Sequence, residues 1–390
     1  MKYNFDEIID RSNSHSVKLS KLKTVFGRDD LIPLWVADMD FLSPPAITEA
    51  LLERTKHGIF GYTIAYDKYY LSIINWLKNR HDYQVLENEI TFVPGVVKGF
   101  AFAIDTFTEK NDKIIIQPPV YHPFRIVTEL LNRQVINNPL VLEDGKYKIN
   151  FEGLKKIIAE NDCKMLIFCS PHNPVGRVWN KDELKQLAEI CYNNNILVIS
   201  DEIHSDLILS GSKHLPFATV SEKARENSIT LMAPSKTFNI AGIVSSFAII
   251  HNKELRNRYL DYLIPRELDQ GTIPALVATE AAYNHGAEWL DEVLAYIQKN
   301  IDFVDNYLKK NIPQIKVIKS EATFLVWLDC RDLKLTQKEL VNLFVNKAKL
   351  ALNDGEVFGK EGEGFMRLNV GTPRSNIEKA LNNLKKAINE

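Results

Sequence analysis

The tripeptide Ser235-Lys236-Thr237 comes one proline after the apolar run 228–233, and two comparable polar positions follow apolar runs upstream. Asp201 directly ends the run 196–200, and the turn Asn173-Pro174-Val175-Gly176 follows another such run. Short runs rich in β-branched residues and bounded by Pro, Gly, Asn or Asp predict buried strands of an α/β sheet. Because ligands of such sheets bind beyond the carboxyl ends of the strands, we expect an amine, a carboxylate and an amide at one edge.

The amine and the carboxylate suit pyridoxal phosphate (PLP), since it needs a lysine for its aldehyde and an acid for its ring nitrogen. The amide of Asn173 could donate to the phenolate oxygen of the same cofactor. Each also has an ordinary alternative. A lysine such as Lys236 is most often a solvated surface residue. An aspartate such as Asp201 can cap a helix or form an ion pair, and Asn173 can simply be a turn residue. As a nucleophile, Lys236 would need a lowered pKa, which burial beside a cationic cofactor would give.

Size and charge restrict the class of protein. A chain of 390 residues is too long for one small core and predicts two domains. The net charge of −2, with both signs interspersed, favours neither nucleic acid nor a membrane surface as a partner. No apolar run reaches bilayer length, and residues 1–7 lack a signal-peptide core. We therefore expect a cytoplasmic protein.

The cysteines point to the same compartment. They show neither CxxC spacing nor a metal-binding pattern, so we expect no metal site and buried free thiols in a reducing environment: Cys163, Cys169, Cys191 and Cys330.

The order of the apolar runs predicts the fold class. Strands are expected at 90–93, 113–117, 134–141, 164–169, 196–200, 228–233 and 244–250. Amphipathic stretches such as 151–159 and 181–192 separate several of them. Strand–helix alternation of this kind predicts an α/β domain with a seven-stranded, mainly parallel sheet covered by helices. We assign this large domain to residues 48–287.

A smaller α+β domain is expected from residues 288–390 together with the irregular segment 1–47. A long helix at 288–310 has its apolar residues on one stripe. Two apolar runs follow, at 322–328 and 364–369, and alternate with predicted helices at 337–348 and 376–388.

Three motifs now carry a resemblance to a known family. SPHNPVGR at 170–177, SDEIHSD at 200–206 and PSKTFN at 234–239 resemble landmarks of fold-type I PLP enzymes of the class I/II aminotransferase superfamily. The spacings of 28 residues from Asn173 to Asp201 and 35 residues from Asp201 to Lys236 are also similar to those of the superfamily. WVADMDF at 35–41 and WLDCR at 327–331, with DEIHSD, resemble the cystathionine β-lyase (C–S lyase) branch of MalY/PatB type.

The resemblance implies a role for each matching position. Lys236 would be the catalytic lysine, Asp201 the partner of the ring nitrogen, and Asn173 a donor to the phenolate oxygen. The phosphate would be bound by Gly95, Val96, Val97 and Ser235, and Tyr121 would stack on the ring. Arg367 would bind the substrate α-carboxylate, with Ala37 and Asn173 also at the substrate.

Two further implications concern Tyr62 and His204. Tyr62 would reach the phosphate of a neighbouring subunit, which implies a homodimer with shared active sites. His204 occupies a position where most aminotransferases of the superfamily carry a tyrosine bonded to the phenolate oxygen. Two roles remain open for His204. It could contact the cofactor, or it could be a structural residue with both ring nitrogens hydrogen-bonded.

The activity implied by the resemblance is α,β-elimination of L-cystathionine or a related cysteine thioether to pyruvate, ammonia and a thiol such as homocysteine. One alternative is an aminotransferase acting on an amino acid. Another preferred thioether and a binding protein without turnover are the remaining alternatives.

Overall fold

The computed structural model describes residues 2–390. Within them, the large sheet has the strands β1 (Ile90–Val93), β2 (Lys113–Ile116), β3 (Gln134–Asn137), β4 (Cys163–Cys169), β5 (Leu197–Asp201), β6 (Ser228–Met232) and β7 (Ser246–Ile249). Their order is β1-β7-β6-β5-β4-β2-β3. Strand β7 is antiparallel to β1 and β6, and the other pairs are parallel. The predicted seven-stranded, mainly parallel sheet is confirmed.

Helices cover both faces of this sheet, and alternate residues of its strands show why. Ile114 of β2 packs in one buried cluster with Phe100, which lies on the helix Val96–Phe107. Its neighbour Ile115 packs in a second cluster with Leu154 and Leu184 from helices on the opposite face. Since both faces are covered, the strands consist of near-continuous apolar runs.

A second sheet lies in the C-terminal part of the chain. In the described residues it has four antiparallel strands, β8 (Lys316–Val317), β9 (Leu325–Asp329), β10 (Asn353–Asp354) and β11 (Phe365–Asn369), in the order β8-β9-β11-β10. The N-terminal segment joins this region through Ile32–Pro33, which pairs in parallel with Leu350–Ala351. A short hairpin, Val141–Glu143 with Lys146–Lys148, stands apart from both sheets.

The α-helices are Val17–Ser20, Leu22–Phe26, Pro45–Lys56, Asp67–His81, Val96–Phe107, Pro123–Leu130, Phe151–Glu160, Lys181–Asn193, Glu222–Glu226, Pro234–Thr237, Lys253–Leu263, Ile273–His285, Ala287–Asn311, Gln337–Asn342 and Arg374–Asn389. None of the helices within residues 2–390 combines the length and the apolar character that a membrane span requires.

The structure corrects three details of the sequence analysis. The segment 1–47 is not wholly irregular, since it contains two short helices and the strand Ile32–Pro33. The helix expected at 337–348 ends at Asn342 and continues as the π-helical turn Leu343–Lys347. The expected strand 134–141 ends at Asn137, and its last residue begins the hairpin.

Candidate active site

The carboxyl ends of the central strands open into a cavity of about 620 Å³. The predicted site residues that line it are Ala37, Gly95, Val96, Val97, Tyr121, Asn173, Asp201, His204, Ser235, Lys236 and Arg367. Tyr62 does not line it and lies fully exposed on the loop between the helices Pro45–Lys56 and Asp67–His81. One chain therefore brings together every predicted site residue except the one expected to act in a neighbouring subunit.

Lys236 lies in the single helical turn Pro234–Thr237 that directly follows β6. A proline fits this first turn because its missing N–H has no helical partner there. The Lys236 ammonium nitrogen donates to the carbonyl oxygen of Ala37 at 2.7 Å. Burial lowers the pKa of Lys236 to about 8, and the nearby Arg367 acts in the same direction. About a tenth of this amine is therefore neutral, and nucleophilic, at pH 7, far more than for a lysine with an ordinary pKa.

Asp201 is the last residue of β5 and is buried. Among the described residues, the backbone N–H of Ile203 is the hydrogen-bond donor to its carboxylate, at 3.1 Å. Burial raises the pKa of Asp201 to about 7. A carboxylate held in such surroundings is stabilised by a cationic N–H donor that enters the cavity.

The helix Val96–Phe107 begins at the cavity, and Gly95 is its N-cap with a φ of +112°. Residues with a side chain rarely adopt this backbone conformation, so the turn requires glycine. The first amides of the helix have no carbonyl partner within it, and they provide an anion site together with the helix dipole. Ser235 lies on the same cavity wall, but its hydroxyl donates to the Ser245 carbonyl at 3.0 Å.

Arg367 lies in the middle of β11 and is buried. Its guanidinium donates to the side-chain oxygen of Asn173 at 2.9 Å and to the Trp35 carbonyl at 3.0 Å. Asn353, opposite it on β10, accepts a third hydrogen bond at 2.6 Å. Burial lowers the pKa of Arg367 to about 10, so the group stays charged at neutral pH. In the described part of the chain its Nε has no partner.

His204 is buried at the cavity wall. Its Nδ1 lacks a hydrogen-bond partner within residues 2–390. Burial lowers the pKa of His204 to about 3, with Lys236 and Arg367 acting in the same direction. The ring is therefore neutral at physiological pH.

Sequence reasoning missed two of the three residues that hold Arg367, Trp35 and Asn353. Trp35 contributes only a backbone carbonyl, which no side-chain pattern reveals. Asn353 faces Arg367 through the register of β10 on β11, and this pairing joins positions that the sequence separates by a loop. Asn353 stands next to Asp354 before a glycine, which is typical of an ordinary turn.

Comparisons with known proteins identify the family. The profile of the aminotransferase class I and II family matches residues 29–384. The chain belongs to this family. It is 43% identical to cystathionine beta-lyase PatB of Bacillus subtilis (strain 168), over 91% of this chain and 92% of that protein.

Solved structures of family members have the same fold. A PLP-bound putative aminotransferase from Clostridium difficile 630 matches with a TM-score of 0.97 and 44% identity, covering 99% of this chain and 100% of that one. The PLP-bound C–S lyase from Staphylococcus hominis matches with a TM-score of 0.93 and 33% identity, covering 100% and 99% of the two chains.

Proposed function

We propose that this protein is a PLP-dependent carbon–sulfur β-lyase. It would convert L-cystathionine, or a related cysteine thioether, and water into pyruvate, ammonia and a thiol, which is homocysteine for cystathionine. The observation that carries the proposal is the cavity in which the half-buried Lys236 and the buried Asp201 face Arg367. The similarity to PatB, named a cystathionine beta-lyase, favours elimination over other reactions of the family.

The residues of the cavity fit PLP. Asp201 has an acceptor for a ring N–H, and Lys236 has an amine for the aldehyde. The amides after Gly95 suit the phosphate, and Tyr121 lines the cavity where a ring could stack. Because Asn173 accepts from Arg367 through its oxygen, its amide NH₂ remains to donate to a phenolate oxygen. The unpartnered Nδ1 of His204 is a further polar atom that a ligand could satisfy.

Bound PLP would supply an electron sink for negative charge at the substrate Cα. Arg367 would bind the substrate α-carboxylate with its guanidinium fork and thereby fix the orientation of the Cα–H bond. The Lys236 amine, with a pKa near the working pH, would take the Cα proton. The same nitrogen would then deliver a proton to the departing sulfur. Asp201, as a carboxylate, would hold the ring N–H in place.

An aminotransferase is the second candidate, because the Clostridium difficile relative is titled a putative aminotransferase. Both reactions need the same proton removal at Cα, but only elimination yields pyruvate without a co-substrate. We expect the purified protein with PLP to release pyruvate and free thiol from L-cystathionine when no 2-oxo acid is present. Lys236→Ala should abolish the release. Amino-group transfer that depends strictly on a 2-oxo acid would instead support the aminotransferase.

The protein would work as a homodimer with shared sites. Tyr62 is fully exposed, and its loop also exposes Ile59, Phe60 and Ile64, an apolar surface that a second subunit would cover. A cytoplasmic location is supported by the four cysteines, which are all buried and free. With cystathionine as substrate, the thiol product would serve methionine biosynthesis.

A further inference from the structure

A short segment between the N-terminal region and the large sheet, residues 35–39, forms one wall of the cavity, and we call it the strap. Side chains from several parts of the chain bind its carbonyl groups. Arg367 donates to the Trp35 carbonyl at 3.0 Å, and Lys236 donates to the Ala37 carbonyl at 2.7 Å. Asn369 binds the carbonyls of Val36 and Asp38 at 2.6 and 2.7 Å. The position of the strap therefore determines where a carbonyl acceptor lies for Lys236 and for Arg367.

Behind the strap lies a compact cluster of four charged side chains, Arg11, Lys18, Asp38 and Asp40. The Lys18 ammonium is 2.9 Å from Asp38 and 3.0 Å from Asp40. It also donates to the Asp38 backbone carbonyl at 3.0 Å. Arg11 binds the same two carboxylates at 2.7 and 2.5 Å. Two of the three acceptors of Lys18 are thus on Asp38, the residue that follows Ala37.

Lys18 is an unusual lysine, because its side chain is only 1% exposed. Burial of a lysine is costly unless the charge is paired, so this position is specified by its partners. The backbone carbonyl of Lys18 also accepts from the indole N–H of Trp35 at 2.9 Å. The short helix Val17–Ser20 is therefore bonded to the strap at both Trp35 and Asp38.

The strap separates two cavities. The 620 Å³ cavity contains Asp201 and Arg367, and a second one of about 460 Å³ is lined by Arg11, Asp38 and Asp40. Ala37 and Lys236 line both. The charged cluster is therefore one peptide unit away from the carbonyl that binds the Lys236 amine.

We propose that Lys18 is a positioning residue, which locks Asp38 and Asp40 so that the Ala37 carbonyl stays on the Lys236 amine and the Trp35 carbonyl stays on Arg367. The assignment rests on the proposed function, in which the Lys236 nitrogen takes and returns a proton. A carbonyl fixed beside that nitrogen orients the proton it carries and holds the amine next to the substrate.

The charges around Lys236 give the proposal a distinctive signature. After burial, the largest influence on the pKa of Lys236 is Asp38, which raises it, and Asp201 acts in the same direction. Arg367 and Lys18 lower it. Removal of Lys18 and removal of Asp38 should therefore move the titration of Lys236 in opposite directions, whereas a general loosening of the fold would not.

The test measures the Lys236 amine without turnover. The full-length chain, freed of cofactor, is pulse-labelled with acetic anhydride at a series of pH values. Mass spectrometry of the peptide that contains Lys236 then gives the midpoint of its labelling. We expect Lys18→Met to raise the midpoint and Asp38→Asn to lower it, each by about half a pH unit or more. Lys21→Met, which changes an exposed lysine on the same segment, should leave it unchanged.

Activity provides a second readout. In the PLP-loaded Lys18→Met variant, kcat/KM for pyruvate release should fall about tenfold to a hundredfold, because the strap no longer holds its carbonyls in place. Its pH profile should move in the direction of the labelling midpoint. Thermal unfolding shows whether Lys18→Met still folds. If Lys18→Met does not fold, the labelling midpoint of Asp38→Asn tests the proposal instead, since Lys18 keeps its contact with Asp40 in that variant.

The two proposals fail in different ways. Unchanged midpoints in folded variants, or shifts of the same sign, would overturn the role of Lys18 even if the wild type releases pyruvate. A wild type that releases no pyruvate would refute the lyase, and opposite shifts in labelling would still show that Lys18 and Asp38 act on the Lys236 amine.

Discussion

At the scale of single residues, burial displaces the pKa values of the three charged groups in the cavity. It lowers the pKa of Lys236 to about 8 and that of Arg367 to about 10, and it raises the pKa of Asp201 to about 7. Each shift favours the uncharged form, as low polarity requires. A ligand that brings a cationic N–H to Asp201 and a carboxylate to Arg367 would compensate these charges.

Asp201→Asn should therefore stabilise the cofactor-free chain at alkaline pH. The folded carboxyl has a pKa of about 7 against a usual 3.8, so well below pH 3.8 it is protonated in both states and costs nothing. Above about pH 7 it is charged in both states, and folding bears a cost of up to about 4 kcal/mol. Urea unfolding should show that Asp201→Asn is more stable than the wild type at pH 8, and that most of this difference is lost at pH 4.

Asp29→Asn, at an exposed aspartate, is the matched control and should change stability little at either pH. A variant at position 201 that is no more stable than the wild type at pH 8 would contradict the raised pKa.

Arg367→Lys should weaken substrate binding more than cofactor binding. A lysine cannot reproduce the two-pronged contact with a carboxylate, and loss of one such hydrogen bond costs about 1.5 to 3 kcal/mol. We expect KM for the thioether to rise about tenfold to a hundredfold in steady-state assays, with PLP affinity nearly unchanged. Arg331→Lys, at an exposed arginine, is the control. A loss of PLP affinity as large as the rise in KM would contradict the assignment.

At the scale of elements, the carboxyl ends of neighbouring strands position the residues of the site. Lys236 follows β6 and Asp201 ends β5, so neighbouring parallel strands place the amine and the carboxylate at one edge. This part was predictable, because apolar runs followed by polar residues mark strand ends in the sequence. The seven strands were predicted for the same reason, with errors only at their boundaries.

The strap and the helices near it were not predictable in this way. Val17–Ser20 and Leu22–Phe26 have only four and five residues, too few for a helical period to be recognised. Ile273–His285 was also missed, since its buried residues, many of them alanines, cover more than half of the helix circumference and its exposed side mixes polar with apolar residues. The fixation of residues 35–39 depends on side chains from distant positions such as Asn369, and no local pattern encodes such contacts.

Gly95→Ala tests the turn that opens the helix Val96–Phe107. A Cβ there would meet no atom closer than 3.9 Å, so the cost comes from the φ of +112° and amounts to about 1–3 kcal/mol. Relaxation of that strain would turn the first amides away from the phosphate. We expect about tenfold weaker PLP binding in a fluorescence titration.

Gly145→Ala is the matched control for this change. Gly145 also has a positive φ, +74°, but it lies in the hairpin turn away from the cavity. The Gly145→Ala variant should be less stable than the wild type and should keep its PLP affinity. Equal PLP affinity in the two variants would argue against an anion site at Gly95.

At the scale of the whole molecule, two expectations remain predictions. One is the division into a large domain, 48–287, and a small domain formed by 1–47 and 288–390. The pairing of Ile32–Pro33 with Leu350–Ala351 brings the two parts of that small domain together. The other is the homodimer, in which Tyr62 would complete the site of its neighbour.

Mixed dimers test the sharing of sites. At limiting PLP, Tyr62→Ala should be impaired and Lys236→Ala should be inactive. Each mixed dimer would contain one site with both native residues. After random reassortment, about half of the dimers are mixed, so about a quarter of wild-type pyruvate release should return. If Tyr62 acted within its own subunit, mixing would restore nothing. Tyr192→Ala, another exposed tyrosine, should keep full PLP affinity.

The most direct measurement is a peptide map of the PLP-loaded protein after borohydride reduction, which makes the link between the cofactor and its lysine permanent. The account predicts a pyridoxyl group on the peptide that contains Lys236. Label on another lysine of the cavity, such as Lys98, or no label at all, would contradict it.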